Sequence, residues 1–175
     1  KSLLIADKEK ERFQQEVKIL KEIDNEYIAS LYDLFNDENN YYFVIDFAEN
    51  GSFESLIKPE KPCTENHAKK YFSQLMSALS YIHNVHRIIH RNIKADNILL
   101  DKHFNIKLID FGMCNLFDPT KNAKFSRVGS PAYVAPEVVL NEEVTEKSDL
   151  WSAGVFLYFI TAGHLPFMET EIPQL

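Results

Sequence analysis

The polar stretch His90-Arg91-Asn92-Ile93-Lys94-Ala95-Asp96-Asn97 lies between two apolar runs, Ile88-Ile89 and Ile98-Leu99-Leu100. Short runs rich in β-branched residues are typical of strands, so the pattern predicts that residues 90–97 form a loop between strands. The loop carries two cations, one carboxylate and two amides in addition to its histidine. Such a concentration of polar groups indicates a functional site, in which Asn92 is a neutral amide.

The composition is that of a globular protein. Of the 175 residues, 45% are hydrophobic and 13% are aromatic, which is enough apolar material for one packed domain. The formal charge is -7, from 26 acidic and 19 basic residues. Because nucleic-acid binding requires a basic face, no nucleic-acid partner is expected. Nucleotides that bind together with metal ions remain compatible with this charge.

The two cysteines, Cys63 and Cys114, are far apart in the sequence and do not have metal-ligand spacing. This usage predicts a reducing compartment and neither a disulfide framework nor a zinc site. The first residues lack the apolar core of a signal peptide, and the longest apolar block, around residues 155–160, is too short to span a bilayer. We therefore expect a cytoplasmic protein, with the nucleus as the alternative, and no membrane partner.

Periodicity predicts three helices and a strand before the motifs are considered. Apolar residues recur at helical spacing from about 8 to 22, and again after Thr64, which can cap a helix. The run Tyr41–Ile45 follows a turn-forming segment and predicts a strand that leads into a linker. Residues 145–162 are apolar on every side, which predicts a helix buried in the core, with Asp149 in need of a buried partner.

The run Ile106-Lys107-Leu108-Ile109 predicts a further strand, joined to Ile98–Leu100 by a hairpin turn at residues 101–104. Asp110-Phe111-Gly112 follows it directly, so a carboxylate emerges at the end of a strand where glycine lets the backbone change direction. An isolated Asp-Phe-Gly triplet is weak evidence for a site, because most such triplets are simple turns.

Glu16 lies inside or beside the apolar stripe of the first predicted helix. A carboxylate in that position has two interpretations. It is either an acid at the edge of the stripe that pairs with Arg12 one turn earlier, or a functional group that points toward the core. Periodicity alone does not separate the two.

The order of four motifs resembles the signature of the eukaryotic protein kinase family. Along the chain these are the 90–97 loop, Asp110-Phe111-Gly112, the string Gly-Ser-Pro-Ala-Tyr-Val-Ala-Pro-Glu at 129–137, and Asp149 with Leu-Trp-Ser-Ala-Gly at 150–154. Lys94 and the 129–137 string resemble the serine/threonine branch, near the calcium/calmodulin-dependent and AMP-activated groups. The resemblance runs from Glu16 to about residue 167.

The resemblance implies an α+β, bilobal kinase-like fold. Residues of about 1–47 would form part of the small lobe, with helix C and the strands after it, and 48–175 the first part of the mainly helical large lobe. The glycine-rich loop and the strand lysine of the family would lie upstream, and Lys1 is not expected to be that lysine. The arginine that pairs with Glu137 in the family would lie downstream. We therefore expect an incomplete kinase domain.

In the family, the loop aspartate accepts the substrate proton, the lysine neutralises the transferring phosphoryl group, and an asparagine and the Asp-Phe-Gly aspartate hold magnesium. Lys94, Asn97 and Asp110 match this pattern, which implies ATP and Mg²⁺ as cofactors. The base position is occupied by Asn92, whose amide donates hydrogen bonds and cannot accept a proton near neutral pH. General base catalysis contributes about 10² to 10⁴ in rate, so transfer should be strongly impaired.

The resemblance also implies an adenine site between the lobes. Ile45 would be the gatekeeper, the backbone of Asp46 and Ala48 would bind adenine, and Leu99 would lie beneath it. Glu16 matches the helix glutamate that pairs with the strand lysine in the family and would belong to the same nucleotide-binding site. An ordinary interlobe linker is equally compatible with these residues. Leu20, His90 and Phe111 are expected to pack in the hydrophobic spine, and Asp149 to anchor the loop backbone.

The segment between Asp110 and Glu137 corresponds to the activation segment of the family. Ser126 lies at the spacing of an activating phosphate, which Arg91 would bind through charge-assisted hydrogen bonds. Ser126 as an ordinary loop serine is the alternative. Ser130 is expected to line the substrate pocket.

Three functional hypotheses follow. The chain is a serine/threonine kinase domain with damaged base chemistry, a pseudokinase that binds nucleotide or a partner as a switch or scaffold, or a truncated gene product without function. The expected partner is a protein substrate or a regulatory protein.

Overall fold

The computed structural model describes residues 13–14, 16–37, 40–116, 131–140, 142 and 144–167. The first helix, α1, covers residues 16–22, and residues 13 and 14 are also helical, which confirms the predicted helix over its described part. Ile19 and Leu20 are buried on its inner face. The ring of Phe13 lies 4.1 Å from that of Tyr41 and 5.1 Å from that of Phe43, so aromatic contacts hold the helix against the next sheet.

That sheet is an antiparallel hairpin of β1 (Leu31–Asn36) and β2 (Tyr41–Ile45). The β2 strand agrees with the prediction from the sequence, whereas β1 was not predicted, because Leu31–Asn36 mixes apolar and polar residues without strict alternation. The turn is closed by the backbone N–H of Asp37, which donates to the Asn40 carbonyl at 3.0 Å.

The linker after β2 leads to a short helix, α2 (Phe53–Leu56), and then to the long helix α3 (Glu65–Asn84). As predicted, Thr64 caps α3: its hydroxyl accepts from the His67 N–H at 3.4 Å. One face of α3 is buried, through Ala68, Tyr71, Leu75, Ala78, Leu79 and Ile82. This stripe at intervals of three and four residues forms one wall of the core.

The described residues contain two further two-stranded antiparallel sheets. Strand β3 (Ile88–Ile89) pairs with β6 (Asn115–Leu116), and β4 (Ile98–Leu100) pairs with β5 (Ile106–Leu108). The hairpin turn predicted between β4 and β5 is confirmed, since the Asp101 carboxylate accepts from the N–H groups of His103 at 2.8 Å and Asn105 at 2.9 Å. These short strands place the 90–97 loop against the end of β5.

The last two helices are α4 (Pro136–Val139) and α5 (Lys147–Ala162). The prediction that α5 is buried on every side was wrong: Trp151 is 39% exposed and Tyr158 is 43% exposed. Only the face with Phe156 and Ile160 packs inward, against α3 and α2, and the Phe156 ring meets Phe53 edge-on at 5.1 Å. Apolar composition did not reveal which face has a neighbour.

The described part of the chain is therefore an α+β structure, with a hairpin and one helix before the linker and mainly helices after it. One connected cluster of buried apolar residues runs through both parts, from Ile19 to Ile160. No helix in the described ranges is both long and apolar enough to cross a membrane.

Candidate functional site: the polar cluster around Asn92 and Asp110

The backbone at the start of the 90–97 loop is fixed by Asp149, which is 1% exposed at the start of α5. Its two carboxylate oxygens accept the backbone N–H groups of His90 and Arg91, each at 2.8 Å. The His83 ring on α3 lies 2.8 Å from the same carboxylate. Asp149, which was expected to anchor the loop backbone, therefore has three hydrogen-bond partners. Arg91 has a φ of 66°, a strained conformation that these contacts maintain.

Three polar side chains meet where the loop reaches the end of β5. The Asn92 Nδ2 donates to Asp110 Oδ2 at 2.6 Å, and the Asn97 Nδ2 donates to the Asn92 carbonyl at 2.9 Å and to Asp110 Oδ2 at 3.3 Å. Both asparagines are almost fully buried. The structure therefore brings together three of the residues selected from the sequence, although Asp110 is 18 positions from Asn92.

Asp110 itself has a φ of 67°, which turns its side chain back toward the loop. The backbone on either side is held: the Ile109 N–H donates to the Asn97 carbonyl at 3.0 Å, and Phe111 is 1% exposed. The Phe111 ring packs edge-on against His90 at 4.8 Å, and Leu20 is buried in the same core cluster. The predicted packing roles of His90, Phe111 and Leu20 agree with these positions.

His90 is completely buried and lies close to two acids. Burial lowers the pKa of its ring, although the charges of Asp149 and Asp110 act in the opposite direction. The Nε2 atom lies 3.2 Å from the Ile109 carbonyl, where a neutral ring donates. His90 is therefore a neutral packing residue that supports the loop.

Glu16 points toward Asp-Phe-Gly. Its Oε2 lies 3.3 Å from the point where a Cβ on Gly112 would stand, and Asp110 Oδ1 lies 3.4 Å from the same point. Burial raises the pKa of Glu16, the Asp110 charge raises it further, and a hydrogen bond from the Phe111 backbone acts against both. Arg12, the alternative partner considered from the sequence, lies outside the described residues.

Lys94 has a different set of contacts from the Asn92 cluster. Its ammonium lies 3.7 Å from Asp96 Oδ2, and its charge acts on the nearby Glu54. Lys94 precedes the 3₁₀ turn Ala95–Asn97, in which the Ala95 N–H donates to the hydroxyl of Tyr133 at 3.4 Å. The structure thus connects the loop to Tyr133, and the ion pair of Lys94 is formed with Asp96 and not with Asp110.

The linker after β2 is held by Asp46. Its carboxylate accepts from the Ser30 N–H at 3.1 Å, from the Tyr32 hydroxyl, and from Lys107 Nζ at 2.8 Å. Although burial acts to raise the pKa of Asp46, hydrogen bonds from Lys107 and Tyr32 lower it overall. The side chain of Asp46 is therefore structural, and its backbone N–H donates to the Ser30 carbonyl at 3.1 Å.

The other residues of the expected adenine site lie at the same place. Among the described residues, no backbone hydrogen bond uses the Asp46 carbonyl or the Ala48 N–H. Leu99 pairs in register with Lys107, whose ammonium reaches Asp46, so Leu99 faces the linker side of the β4–β5 hairpin. Ile45 ends β2 and is 37% exposed.

Two of the predicted site residues, Ser126 and Ser130, lie outside the described residues. Arg91, the expected partner of a phosphate on Ser126, has its backbone N–H held by Asp149 Oδ1 at 2.8 Å. The predictions for these serines stay predictions.

The sequence did not reveal three residues that shape the site. His83 reaches Asp149 from 66 positions away, Lys107 reaches Asp46 from 61, and Tyr133 contacts Ala95 from 38. Lys107 gave a signal, since it is the single charge in an apolar strand. Nothing in the spacing of His83 or Tyr133 along the sequence indicated that either residue contacts the site.

The oxygens of Asp110 and Asn97 fit a magnesium ion that is bound mainly through phosphates. Mg²⁺ prefers oxygen ligands and is usually bound by one or two carboxylates together with substrate phosphates. The Asn97 Nδ2 donates to the Asn92 carbonyl, which leaves its Oδ1 as the atom available to a metal. In the described ranges no group of three or more His, Cys, Asp or Glu residues could hold an ion alone.

Comparison with known proteins identifies the family. The family model described as "Protein kinase domain" matches residues 2–174. The chain therefore belongs to the protein kinase domain family, as the motif order indicated.

The relatives are serine/threonine kinases. The chain is 40% identical over 166 residues to "Serine/threonine-protein kinase kin-29" of Caenorhabditis elegans, covering 94% of this chain and 20% of that protein. It is 36% identical over 165 residues to the "Carbon catabolite-derepressing protein kinase" of Saccharomyces cerevisiae, covering 94% and 26%. It is 35% identical over 164 residues to the "SNF1-related protein kinase catalytic subunit alpha KIN12" of Arabidopsis thaliana, covering 94% and 33%.

These relatives agree with the expected serine/threonine branch and its AMP-activated group. The chain spans about a fifth to a third of the length of the relatives it matches.

Proposed function

We propose that this chain is a serine/threonine kinase-type domain that binds ATP with Mg²⁺ and transfers phosphate to protein hydroxyls only weakly. The supporting observation is the contact between Asn92 and Asp110, 2.6 Å between the amide nitrogen and the carboxylate oxygen. Position 92 is therefore in the same hydrogen-bonded cluster as the proposed metal ligands Asp110 and Asn97. Because a neutral amide stands where a proton must be accepted, transfer lacks its general base.

Each candidate site residue has a proposed role. The Asp46 carbonyl and the Ala48 N–H bind adenine, with Ile45 and Leu99 on either side of the ring. Asp110 and Asn97 hold Mg²⁺, which when bound neutralises phosphate charge. Lys94 is proposed to approach the transferring phosphoryl group, for which it must leave Asp96, 3.7 Å away. Glu16 orients the turn at Gly112 through the Phe111 backbone.

Residual transfer is compatible with this site. Phosphoryl transfer passes through a loose transition state that depends mainly on positioning and electrostatics. The anchors at His90 and Arg91 keep the loop in place without any contribution from a carboxylate at position 92.

A pseudokinase that acts as a nucleotide-binding or partner-binding switch is the second candidate. One observation favours it: the Asn92 amide is itself a hydrogen-bond donor to Asp110, so the substitution satisfies the site instead of leaving a gap. In this case the assembled core around Phe111 serves binding and not turnover.

The experiment that tests the main proposal is the reversion Asn92→Asp in the full-length protein. Phosphate transfer from ATP to a peptide with serine and threonine should rise by about 10² to 10⁴, the usual contribution of a general base. Asn84→Asp, which adds the same charge at an exposed position on α3, is the matched control and should leave transfer unchanged. If transfer by Asn92→Asp equals that of the wild type, the role assigned to position 92 is wrong.

The remaining expectations are proposals of the same kind. Residues of about 1–47 are the proposed small-lobe part and 48–175 the large-lobe part. Both cysteines are free thiols, which supports a reducing compartment, the cytoplasm or the nucleus. Ser126 is proposed as a phosphorylation site, and a protein substrate or regulator as the partner.

A further inference from the structure

The Asp110 carboxylate has donors on both oxygens. Oδ2 accepts from Asn92 at 2.6 Å and from Asn97 at 3.3 Å, and Oδ1 accepts from the Gly112 N–H at 3.4 Å. A carboxylate oxygen has about two lone-pair directions, so the two amides together occupy Oδ2. The shorter contact is the one to Asn92, which makes it the stronger of the two.

The surroundings of Asp110 make that donor important. Glu16 approaches the same turn, and one oxygen of each carboxylate lies within 3.4 Å of the point where a Cβ on Gly112 would stand. Two carboxylates that approach the same turn repel each other unless donors or cations compensate. A carboxylate at position 92 would add a third negative charge at 2.6 Å from Oδ2, whereas the amide adds a donor.

The contact also controls a part of the core. Asp110 has a φ of 67°, and the next residue, Phe111, is 1% exposed and packs on His90. The direction of the Asp110 side chain and the entry of Phe111 into the core depend on the same backbone turn. The hydrogen bond from Asn92 to Asp110 therefore also keeps Phe111 in its buried position.

We propose that Asn92 is a positioning residue that substitutes for a divalent cation on Asp110. Its amide keeps Asp110 and Phe111 in place without metal, and a metal must displace this amide to reach Oδ2. The chain therefore depends less on Mg²⁺ for its assembled conformation than a chain with aspartate at position 92, and it binds Mg²⁺ more weakly. The inference rests on the proposed function, since it concerns the same residues.

The test is thermal unfolding of the full-length protein in EDTA and in a MgCl₂ titration, without nucleotide. The wild type should change little with Mg²⁺. Asn92→Asp should unfold at a lower temperature in EDTA and recover with Mg²⁺, with half-saturation at a concentration at least about tenfold lower than in the wild type. A tenfold change corresponds to about 1.4 kcal/mol, the size of one charge-assisted hydrogen bond.

Asn92→Ala separates displacement from charge. It removes the donor without adding a carboxylate, so Mg²⁺ should bind more tightly than to the wild type, although less tightly than to Asn92→Asp. Asn84→Asp, with the same added charge on α3, should respond to Mg²⁺ as the wild type does. If Asn92→Ala is too unstable for unfolding measurements, titration calorimetry of Mg²⁺ with the wild type and the near-isosteric Asn92→Asp gives the same ratio.

Two results would overturn the inference: a wild type stabilised by Mg²⁺ as strongly as Asn92→Asp, or Mg²⁺ affinities that are equal in the wild type and Asn92→Asp. Neither measurement uses phosphate transfer. If Asn92→Asp restores phosphate transfer but binds Mg²⁺ as the wild type does, the proposed function is kept and the positioning role is rejected. If Asn92→Asp binds Mg²⁺ more tightly but does not restore transfer, the positioning role is kept and the proposed function is rejected.

Discussion

The Oδ2 atom of Asp149 lies 2.8 Å from the backbone nitrogen of His90, which is 59 residues earlier in the chain. Together with the parallel contact from Oδ1 to the Arg91 N–H, it ties the site loop to α5 and not to a neighbouring strand. A buried carboxylate that accepts backbone N–H groups forms charge-assisted hydrogen bonds, which are about twice as strong as neutral ones. The position of Asn92 therefore depends on a helix that begins more than fifty residues later.

Asp149→Asn should destabilise the protein by about 3 kcal/mol. One amide oxygen replaces two carboxylate oxygens, and the amide NH₂ faces a backbone N–H, so a buried donor loses its acceptor. Urea unfolding followed by tryptophan fluorescence measures the change. Ser148→Ala, next to it and also buried, removes a hydroxyl that donates to the Thr145 carbonyl and should cost about 1 kcal/mol. Equal losses in both variants would contradict the anchoring role.

Two glycines, one within α5 and one at its end, should respond to alanine in opposite directions. Gly163 ends the helix with a φ of +80°, and a Cβ there would lie 2.8 Å from Pro59 Cα and 2.9 Å from the Lys58 carbonyl oxygen. Gly163→Ala should therefore cost more than the ~1–2 kcal/mol of a left-handed alanine. Gly154 lies in mid-helix, and a Cβ there would meet no atom within 4 Å, so Gly154→Ala should gain about 0.5–1 kcal/mol.

Thermal denaturation of both variants checks this pair. A stabilised Gly163→Ala would show that the end of α5 does not approach residues 58 and 59. A strongly destabilised Gly154→Ala would show that other atoms pack against the side of α5 on which Gly154 lies.

Glu16→Gln should raise the stability of the 175-residue chain at neutral pH. Because the pKa of Glu16 is raised in the folded state, the folded protein holds its proton to higher pH than the unfolded chain does. This contribution to stability is complete below the ordinary value of 4.5 and is lost as the pH rises through the raised value. A neutral glutamine keeps the hydrogen bond from Phe111 and removes that loss.

The difference between Glu16→Gln and the wild type should disappear below the ordinary pKa of 4.5, which urea unfolding at several pH values measures. Glu22→Gln, at an exposed position on the same helix, is the control for the loss of one negative charge on α1. A Glu16→Gln variant that is less stable than the wild type at neutral pH would indicate that a cation outside the described residues pairs with Glu16.

Lys107→Gln should lower stability at neutral pH by about 1 kcal/mol, since it removes a partly buried ion pair with Asp46. The lowered pKa of Asp46 means that its contribution is present above the ordinary value of 3.8 and is lost as the pH falls through the lower folded value. The difference from the wild type should therefore shrink in acid. Lys102→Gln, at an exposed position, is the control and should leave the stability unchanged at neutral pH. A stability loss in Lys107→Gln that persists unchanged in strong acid would contradict the ion pair.

The elements with strong local patterns could be predicted from the sequence. The α3 stripe, the Thr64 cap and the Asp101 turn depend on residues within a few positions of one another, so periodicity and turn chemistry identify them. The β1 strand was missed, because its exposed and half-buried residues do not alternate. In α5, composition predicted burial on every side, whereas Trp151 and Tyr158 are 39% and 43% exposed.

For the site, the order of motifs identified Asn92, Asn97 and Asp110 as candidates, and the identity of these side chains fixed their chemistry: an amide cannot accept a proton in any fold. Only the tertiary structure decided that this amide donates to Asp110, that His83 forms a hydrogen bond with Asp149, and that Lys107 donates to Asp46. These partners are 18 to 66 residues apart, and local patterns carry no information about which distant groups the packing of helices brings within hydrogen-bond distance.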